Sequence, residues 1–350
     1  MTAFFRNILE WIYNLVGNYG VAVVVFTMLI RSILTPLEIS SRKGMRKMSQ
    51  IQPKLNALQQ KYGKDQAKLQ QKQQELMRKE HYNPLSGCLP LLIQWPILFV
   101  MFYAMRDVAN SKIIGQAFTF LQGSTPEYEP FLWIKNVFMA DSPFKTAAVD
   151  AASLSAATSA TWLSALKSLD TTQLGQILDS IRAAVPAAAE LTQDQILDFS
   201  SNAAVRTTVE NYILPALQSM PAYVQATAPI PGWAGVGFLL FKVTLYKQFN
   251  GLLILPILAG VTQVMMTKLN PAMQQPEASA QNQQNQGMNN FMKYFFPLFS
   301  VFICLSSNAG FALYWCAINV FATGQSILIN KLLERQDAIK AEAADKESIK

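Results

Sequence analysis

Residues 19–38 read YGVAVVVFTMLIRSILTPLE. The run is apolar up to Arg31 and continues through Ser32, Ile33, Leu34, Thr35, Pro36 and Leu37 before the first carboxylate, Glu38. A bilayer's hydrocarbon core, about 30 Å thick, takes roughly 20 mainly apolar residues, so 19–37 reads as a membrane-spanning helix with an arginine inside it. A central arginine costs between roughly 3 and 17 kcal/mol. It therefore faces water or a polar partner, unless it snorkels to the nearer surface. Thr27 and Thr35 lie one helical turn to either side of Arg31, and Glu38 continues the same stripe.

Working outward from this stretch, four further apolar runs have spanning length, at 85–106, 249–268, 291–307 and 309–332. The last two are divided by Ser306-Ser307-Asn308-Ala309-Gly310. The chain of 350 residues is 51% hydrophobic and only 15% charged, against about 25% charged in ordinary globular chains. Residues 1–18 form a short amphipathic stretch (Phe4, Phe5, Ile8, Leu9, Trp11, Ile12, Leu15) without a cleavage site after it, which predicts an interfacial helix. The 232–246 run is short and contains Lys242, so it is expected as a second interfacial helix leading into the third span. If it spanned instead, the C-terminal tail would change sides.

Charge orients these spans. Residues 38–83 hold eleven Lys/Arg and four Asp/Glu, net +7, which equals the formal charge of the whole chain. Residues 107–248 hold eight against eleven, net −3. The positive-inside rule places the basic loop in the cytoplasm, the N-terminus outside and the 333–350 tail inside, with 269–290 a second cytoplasmic loop. Within the basic loop Met45, Met48, Ile51, Leu55, Leu58 and Tyr62 recur at helical spacing. Tyr62-Gly63-Lys64-Asp65 breaks the pattern, and Leu69, Leu76 and Met77 mark a second arm, giving a helical hairpin. Its charges either set topology alone or also meet partners and anionic headgroups. Residues 146–228 contain nineteen alanines, with helical spacing at Leu174/Ile177/Leu178/Ile181. They read as a small extracytoplasmic helical domain (about 146–230) or as a weakly structured spacer.

The composition excludes several chemistries. The cysteines Cys88, Cys304 and Cys316 sit in apolar runs, so there is no disulfide framework or CxxC site. The only histidine is His81, and no H-E-x-x-H, phosphate loop or pair of intramembrane aspartates occurs. The expectation is a non-enzymatic protein with no cofactor and no metal. No acidic residue lies within the five spans. A proton pump or cation transporter needs one, whereas a positive charge in a wet groove suits a transient anionic guest. Gln94, Gln263, Trp315, Asn319 and Gln325 are further polar residues in spans, and Pro256, Gly260, Gln263 and Thr267 share one helix face. Each also has a packing explanation, because glutamines and small residues join membrane helices. A small-anion transporter and a pure assembly scaffold remain open on these residues.

Asn83-Pro84-Leu85-Ser86-Gly87-Cys88-Leu89-Pro90-Leu91-Leu92-Ile93-Gln94-Trp95-Pro96 resembles the second-span signature of the YidC/Oxa1/Alb3 family of membrane protein insertases. Ile254-Leu255-Pro256-Ile257-Leu258-Ala259-Gly260 and Ala309-Gly310-Phe311-Ala312-Leu313-Tyr314-Trp315 with Gln325 resemble later spans, and Arg31 falls where the family has its groove arginine. The resemblance covers 1–144 and 249–333. It implies an all-α integral membrane protein with a five-helix core around a hydrophilic groove, closed outside, and a cytoplasmic hairpin. Arg31, Thr27, Thr35, Gln94, Gln263, Trp315 and Asn319 would line that groove. It also implies a bacterial plasma membrane location and nascent membrane proteins as clients. Membrane lipids, the ribosome, the signal recognition particle pathway and the Sec translocon are the implied partners, and no direct nucleic-acid function is implied. A loop like Phe131–Ser142 leads almost directly into the next span in bacterial relatives, so the 146–248 region resembles an insertion. The 331–350 tail has five basic and five acidic residues, unlike the strongly basic tails that dock ribosomes.

Overall fold

The computed structural model describes residues 2–80, 82, 85–238, 241–269 and 291–348, and these are helical almost throughout. His81, the Asn83-Pro84 start of the second-span motif and the 270–290 part of the expected cytoplasmic loop lie outside the described residues. The chain divides into two compact units.

The first unit comprises Met1–Val25, Val100–Leu258 and Val301–Trp315. Its α1 (Thr2–Val16) buries Leu9 and Ile12 and turns Phe4, Trp11 and Leu15 outward. Arg6 and Glu10 pair across one turn at 2.8 Å, and the helix stops at Gly17, whose φ is +74°. The next helices along the chain are α2 (Tyr19–Tyr62), α3 (Gln66–Lys79), which belongs to the second unit, and α4 (Leu85–Leu121). The non-helical segment 129–142 supplies acceptors to three helix N-termini, whose first N–H groups have no partner inside the helix. The Glu129 carboxylate accepts from Tyr19 N (2.9 Å) at the head of α2. The Asp141 carboxylate accepts from Leu252 N (2.8 Å) and Leu255 N (2.7 Å) at the head of α12 (Ile254–Leu269). The Met139 and Val137 carbonyls accept from Ala309 N and Gly310 N, both at 2.9 Å.

Immediately after this segment the 146–248 region begins. Its entry and exit are joined by a bridge between Thr146 and Phe249 and by two fully buried asparagines. Asn250 Oδ1 accepts from Asn136 N (2.8 Å), and Asn250 Nδ2 donates to the Asn136 and Ala140 carbonyls. Asn136 Nδ2 donates to Gln116 Oε1 and the Ala147 carbonyl. Residues 151–226 form a packed set of short helices. Short helices α5 (Ala151–Ala156), α6 (Ser159–Lys167), α7 (Thr171–Ala184), α8 (Gln193–Ile196), α9 (Asn202–Thr208), α10 (Leu214–Ser219) and α11 (Pro221–Ala226) enclose buried Trp162, Ile177, Ile181, Val205 and Leu217. Trp162 stacks on Phe199 with ring centroids 4.7 Å apart. Side chains of Asp150, Thr158, Asp170 and Ser201 cap four of these helices, which is how an alanine-rich chain stops and restarts so often.

The 232–246 run departs from expectation. In place of an interfacial helix it forms antiparallel strands β1 (Val236–Phe238) and β2 (Phe241–Val243). Gly232 and Gly235 adopt φ of +80° and +63°, which ends any helical winding. Val236 then pairs with Val243, as β-branched residues favour.

The second unit comprises Phe26–Phe99, Ala259–Ser300 and Cys316–Lys350. Here α2 runs without a break from the apolar stretch into the first arm of the basic hairpin. The arms turn at Tyr62–Asp65, where the Asp65 side chain caps α3 through Lys68 N (3.1 Å), and Lys54 clasps Glu80 at 2.6 Å. Ile51, Leu55 and Leu69 are buried within the unit. The last two helices are α13 (Phe296–Ser306), preceded by a π-helical turn at Phe291–Phe295, and α14 (Ala309–Ser348). Like α2, which continues through Pro36 and Pro53, α14 runs from its apolar part into the charged tail as one helix.

Candidate functional site

Within the second unit the usual burial pattern of a water-soluble protein is reversed. On α2, Met28, Leu29 and Ile33 are exposed while Thr27, Ser41 and Arg42 are buried. On α12, Val261, Val264, Met265 and Leu269 face outward while Thr262, Gln263 and Thr267 are buried. On α14, Val320, Ile327, Leu328 and Leu332 face outward while Asn319, Thr323, Gln325 and Ser326 are buried. In water, leaving a side chain such as Ile33 (66% exposed) or Leu328 (64%) uncovered forfeits up to roughly 1.5–3 kcal/mol each. Such contiguous apolar stripes suit a hydrocarbon solvent. Helices α2 and α14 each contain an 18-residue window apolar enough to cross a membrane; α12 and Lys293–Ser306 are shorter apolar helices.

The polar interior is partly knitted together. Gln325 Nε2 donates to Thr35 Oγ1 at 2.7 Å, joining α14 to α2. Asn319 Nδ2 donates to Thr262 Oγ1 at 3.2 Å, joining α14 to α12. Thr267 Oγ1 returns to the Gln263 carbonyl (2.9 Å) and Thr323 Oγ1 to the Asn319 carbonyl (2.7 Å). The amide of Gln263 is only 1% exposed, and its Nε2 meets no hydrogen-bond acceptor among the described residues. A buried amide donor normally has a protein or water partner.

Arg31 is half-buried on α2, one turn from buried Thr27 and one turn from Thr35, whose hydroxyl donates to the Arg31 carbonyl at 3.1 Å. One face of α2 thus carries Thr27, Arg31, Thr35, Glu38 and Arg42. Glu38 is engaged by Arg42, whose Nε and Nη2 donate to one carboxylate oxygen at 3.0 and 2.9 Å. The Arg42 side chain is buried. Further along, Arg46 reaches the charged end of α14, pairing with Asp337 (2.9 Å) and donating to the Asn330 carbonyl.

Of the residues predicted from sequence, Thr27, Arg31, Thr35, Gln263 and Asn319 belong to this unit. Direct hydrogen bonds join Thr35 to Gln325, and Asn319 to the neighbour of Gln263. Trp315 belongs to the first unit, where its buried ring packs 5.7 Å from Phe311. The Gln94 side chain lies outside the described residues. Sequence reasoning misses Thr262, Thr323 and Ser326, because single hydroxyls inside apolar runs carry no periodic signal. It also leaves Arg42 among the charges of the basic loop, although its four-residue spacing from Glu38 is a sequence signal for pairing. Among the described residues no cluster of His, Cys, Asp or Glu has the makings of a metal site.

Residues 11–336 match the 60Kd inner membrane protein family. A protein of Chlorobaculum parvum named membrane protein insertase YidC is 37% identical over 135 residues, 39% of this chain and 20% of that protein. Proteins of the same name from Bordetella petrii and Aromatoleum aromaticum are 34% identical over 134 residues and 42% identical over 98. The aligned part of the chain spans about a fifth of these relatives' length, 23% in the Bordetella petrii protein and 18% in the Aromatoleum aromaticum one. On a match that takes in all but the two ends of the sequence, the chain belongs to the 60Kd inner membrane protein family.

Proposed function

We propose that this protein is a membrane protein insertase that helps nascent proteins enter and fold in the bilayer, without ATP or another cofactor. The observation that carries the reading is the reversed burial of α2, α12 and α14, with hydroxyls and amides inward, Arg31 half-buried and aliphatic side chains outward. The name its relatives carry supports it. In this reading five spans (19–37, 85–106, 249–268, 291–307 and 309–332) enclose a hydrophilic groove lined by Arg31, Thr27, Thr35, Gln94, Gln263, Trp315 and Asn319. The N-terminus lies outside and the tail in the cytoplasm, as the charge of residues 38–83 requires.

The energetics divide in two. A client's apolar span gains free energy by leaving water, which needs no fuel. Its polar outer tail must cross about 30 Å of hydrocarbon, and a hydrated groove shortens the dry part of that path. Arg31 serves as a transient partner for acidic residues in the tail, through charge-assisted hydrogen bonds that break as the tail moves on. The cytoplasmic hairpin meets clients first. The ribosome, the signal recognition particle pathway and the Sec translocon are the delivery partners this role would use.

The test is reconstitution into liposomes with a single-span client bearing an acidic outer tail, comparing wild type, Arg31→Lys and Arg31→Ala. Insertion by wild type and the lysine variant but not the alanine variant is the expected result. Equal insertion by all three would refute the electrostatic role of Arg31. Absence of insertion by wild type would refute the insertase reading, with anion flux in the same liposomes then pointing to a transporter and its absence to an assembly scaffold.

A further inference from the structure

The turn at Phe131–Ile134 presents a leucine in a way that packing within the chain does not explain. Phe131 N donates to the Ile134 carbonyl (3.0 Å) and Ile134 N to the Phe131 carbonyl (2.9 Å), leaving Leu132 and Trp133 as the two turn residues. Leu132 has φ of +53°, a left-handed conformation that favours glycine, and it is 73% exposed. In water this residue would combine backbone strain with an uncovered aliphatic side chain.

The mount beneath it is rigid. The Phe131 ring covers Gly20 so closely that a Cβ there would overlap it. Asn18 Nδ2 donates to the Pro130 carbonyl (3.0 Å), and the Glu129 carboxylate accepts from Tyr13 Oη and Tyr19 N, both at 2.9 Å. Trp133 Nε1 donates to Asp141 (3.3 Å), the same carboxylate that holds Leu252 N and Leu255 N. The turn is therefore fastened to the first turns of α2 and α12. The same unit also exposes Trp11 and Leu15 on α1, and Leu252 and Ile257 at the start of α12.

We propose that the Leu132 turn is a lipid anchor on the outer leaflet, with Leu132 among the acyl chains and Trp133 at the headgroup level. The proposal rests on the reading that α2 and α12 cross the membrane with these ends outward. Its occupant is lipid because Leu252 and Ile257, at the end of α12 that shares Asp141 with this turn, are exposed aliphatic residues too, and because tryptophan favours the headgroup region. Burying a leucine in hydrocarbon outweighs the strain of one left-handed residue, so lipid resolves what water would leave unfavourable. Rigid attachment to two helix ends would then hold those ends at a fixed depth.

The experiment uses the full chain with Cys88, Cys304 and Cys316 replaced by alanine, reconstituted in phosphatidylethanolamine–phosphatidylglycerol liposomes. An environment-sensitive fluorophore is placed at Leu132→Cys, at Ile257→Cys as a reference on the α12 face, and at Thr207→Cys as an aqueous reference on α9. The expected result is severalfold stronger quenching at 132 than at 207 by lipids spin-labelled near the glycerol, with protection from aqueous iodide. Iodide access at 132 equal to that at 207, with position 257 quenched by lipid, would overturn the anchor and leave the spanning reading intact. Shielding of position 132 from both quenchers would overturn it in favour of a protein occupant, either a second copy or a client. Lack of lipid quenching at 257 would overturn the spanning reading itself.

Discussion

Asp141 holds the N-terminus of α12, and removing its charge should loosen that end by a calculable amount. Its Oδ1 accepts from Leu252 N, and its Oδ2 accepts from Leu255 N and Trp133 Nε1. Asp141→Asn keeps the size but can place only one oxygen here, so an NH2 group faces either one backbone donor or a backbone and an indole donor. The amide takes the orientation that orphans only the Leu252 donor, so at roughly 1.5 kcal/mol for an orphaned donor the loss is about 1.5 kcal/mol, a roughly 13-fold change in a local opening constant. Gly251 offers an independent route to the same cap, because a Cβ on it would overlap the Asp141 carboxylate and expel it. Gly251→Ala should therefore cost at least as much, and the double variant should cost less than the sum of the singles. Amide hydrogen exchange of the full chain in micelles, followed across residues 252–258, measures all three. Unchanged exchange in Asp141→Asn, or strictly additive effects in the pair, would refute the claim that this carboxylate caps the helix.

Two further outcomes are expected. Gln263→Leu removes an amide whose Nε2 has no acceptor among the described residues, so thermal stability in micelles should hold or rise while liposome insertion falls severalfold; a fall in stability with unchanged insertion would mark Gln263 as helix glue only. At the head of α5, burial tends to raise the Asp150 pKa, but the Lys145 ammonium at 2.6 Å and hydrogen bonds from Ser153 outweigh it and leave the pKa below the ordinary carboxylate value. A depressed pKa in the folded state means that Asp150 contributes stability above its unfolded value of about 3.9 and loses it as pH falls below that. Acid unfolding, followed by near-ultraviolet circular dichroism, should accordingly be shallower below about pH 4 in Asp150→Asn than in wild type.

Several elements were legible because they depend on local chemistry. The α1 helix ends at Gly17, where the amphipathic pattern ends, and α3 starts at Asp65, a capping residue after a glycine turn. The face of α12 carrying Pro256, Gly260, Gln263 and Thr267 is buried as its spacing indicates. The 232–246 strands were not legible as such, since a short apolar run is ambiguous by periodicity and only the two left-handed glycines decide against a helix. Hydropathy changes at 37, 106 and 332, yet α2, α4 and α14 run on to Tyr62, Leu121 and Ser348. A helix ends where its backbone hydrogen bonding is interrupted, which is not where its surroundings change polarity.

The residues by themselves determined that this is a helical protein of apolar segments, with an arginine inside the first of them and a basic hairpin after it. Those properties follow from composition and period, which every stretch carries within itself. Tertiary structure alone decided which hydroxyls meet which amides, as in Gln325 with Thr35 and Asn319 with Thr262. It also decided that Asp141, remote in sequence from Leu252 and Leu255, holds the head of α12, and that Leu132 is left uncovered beside it. Pairings of this kind join residues more than fifty positions apart, and a hydrogen bond's donor and acceptor are selected by the packing of whole helices, which no local pattern encodes.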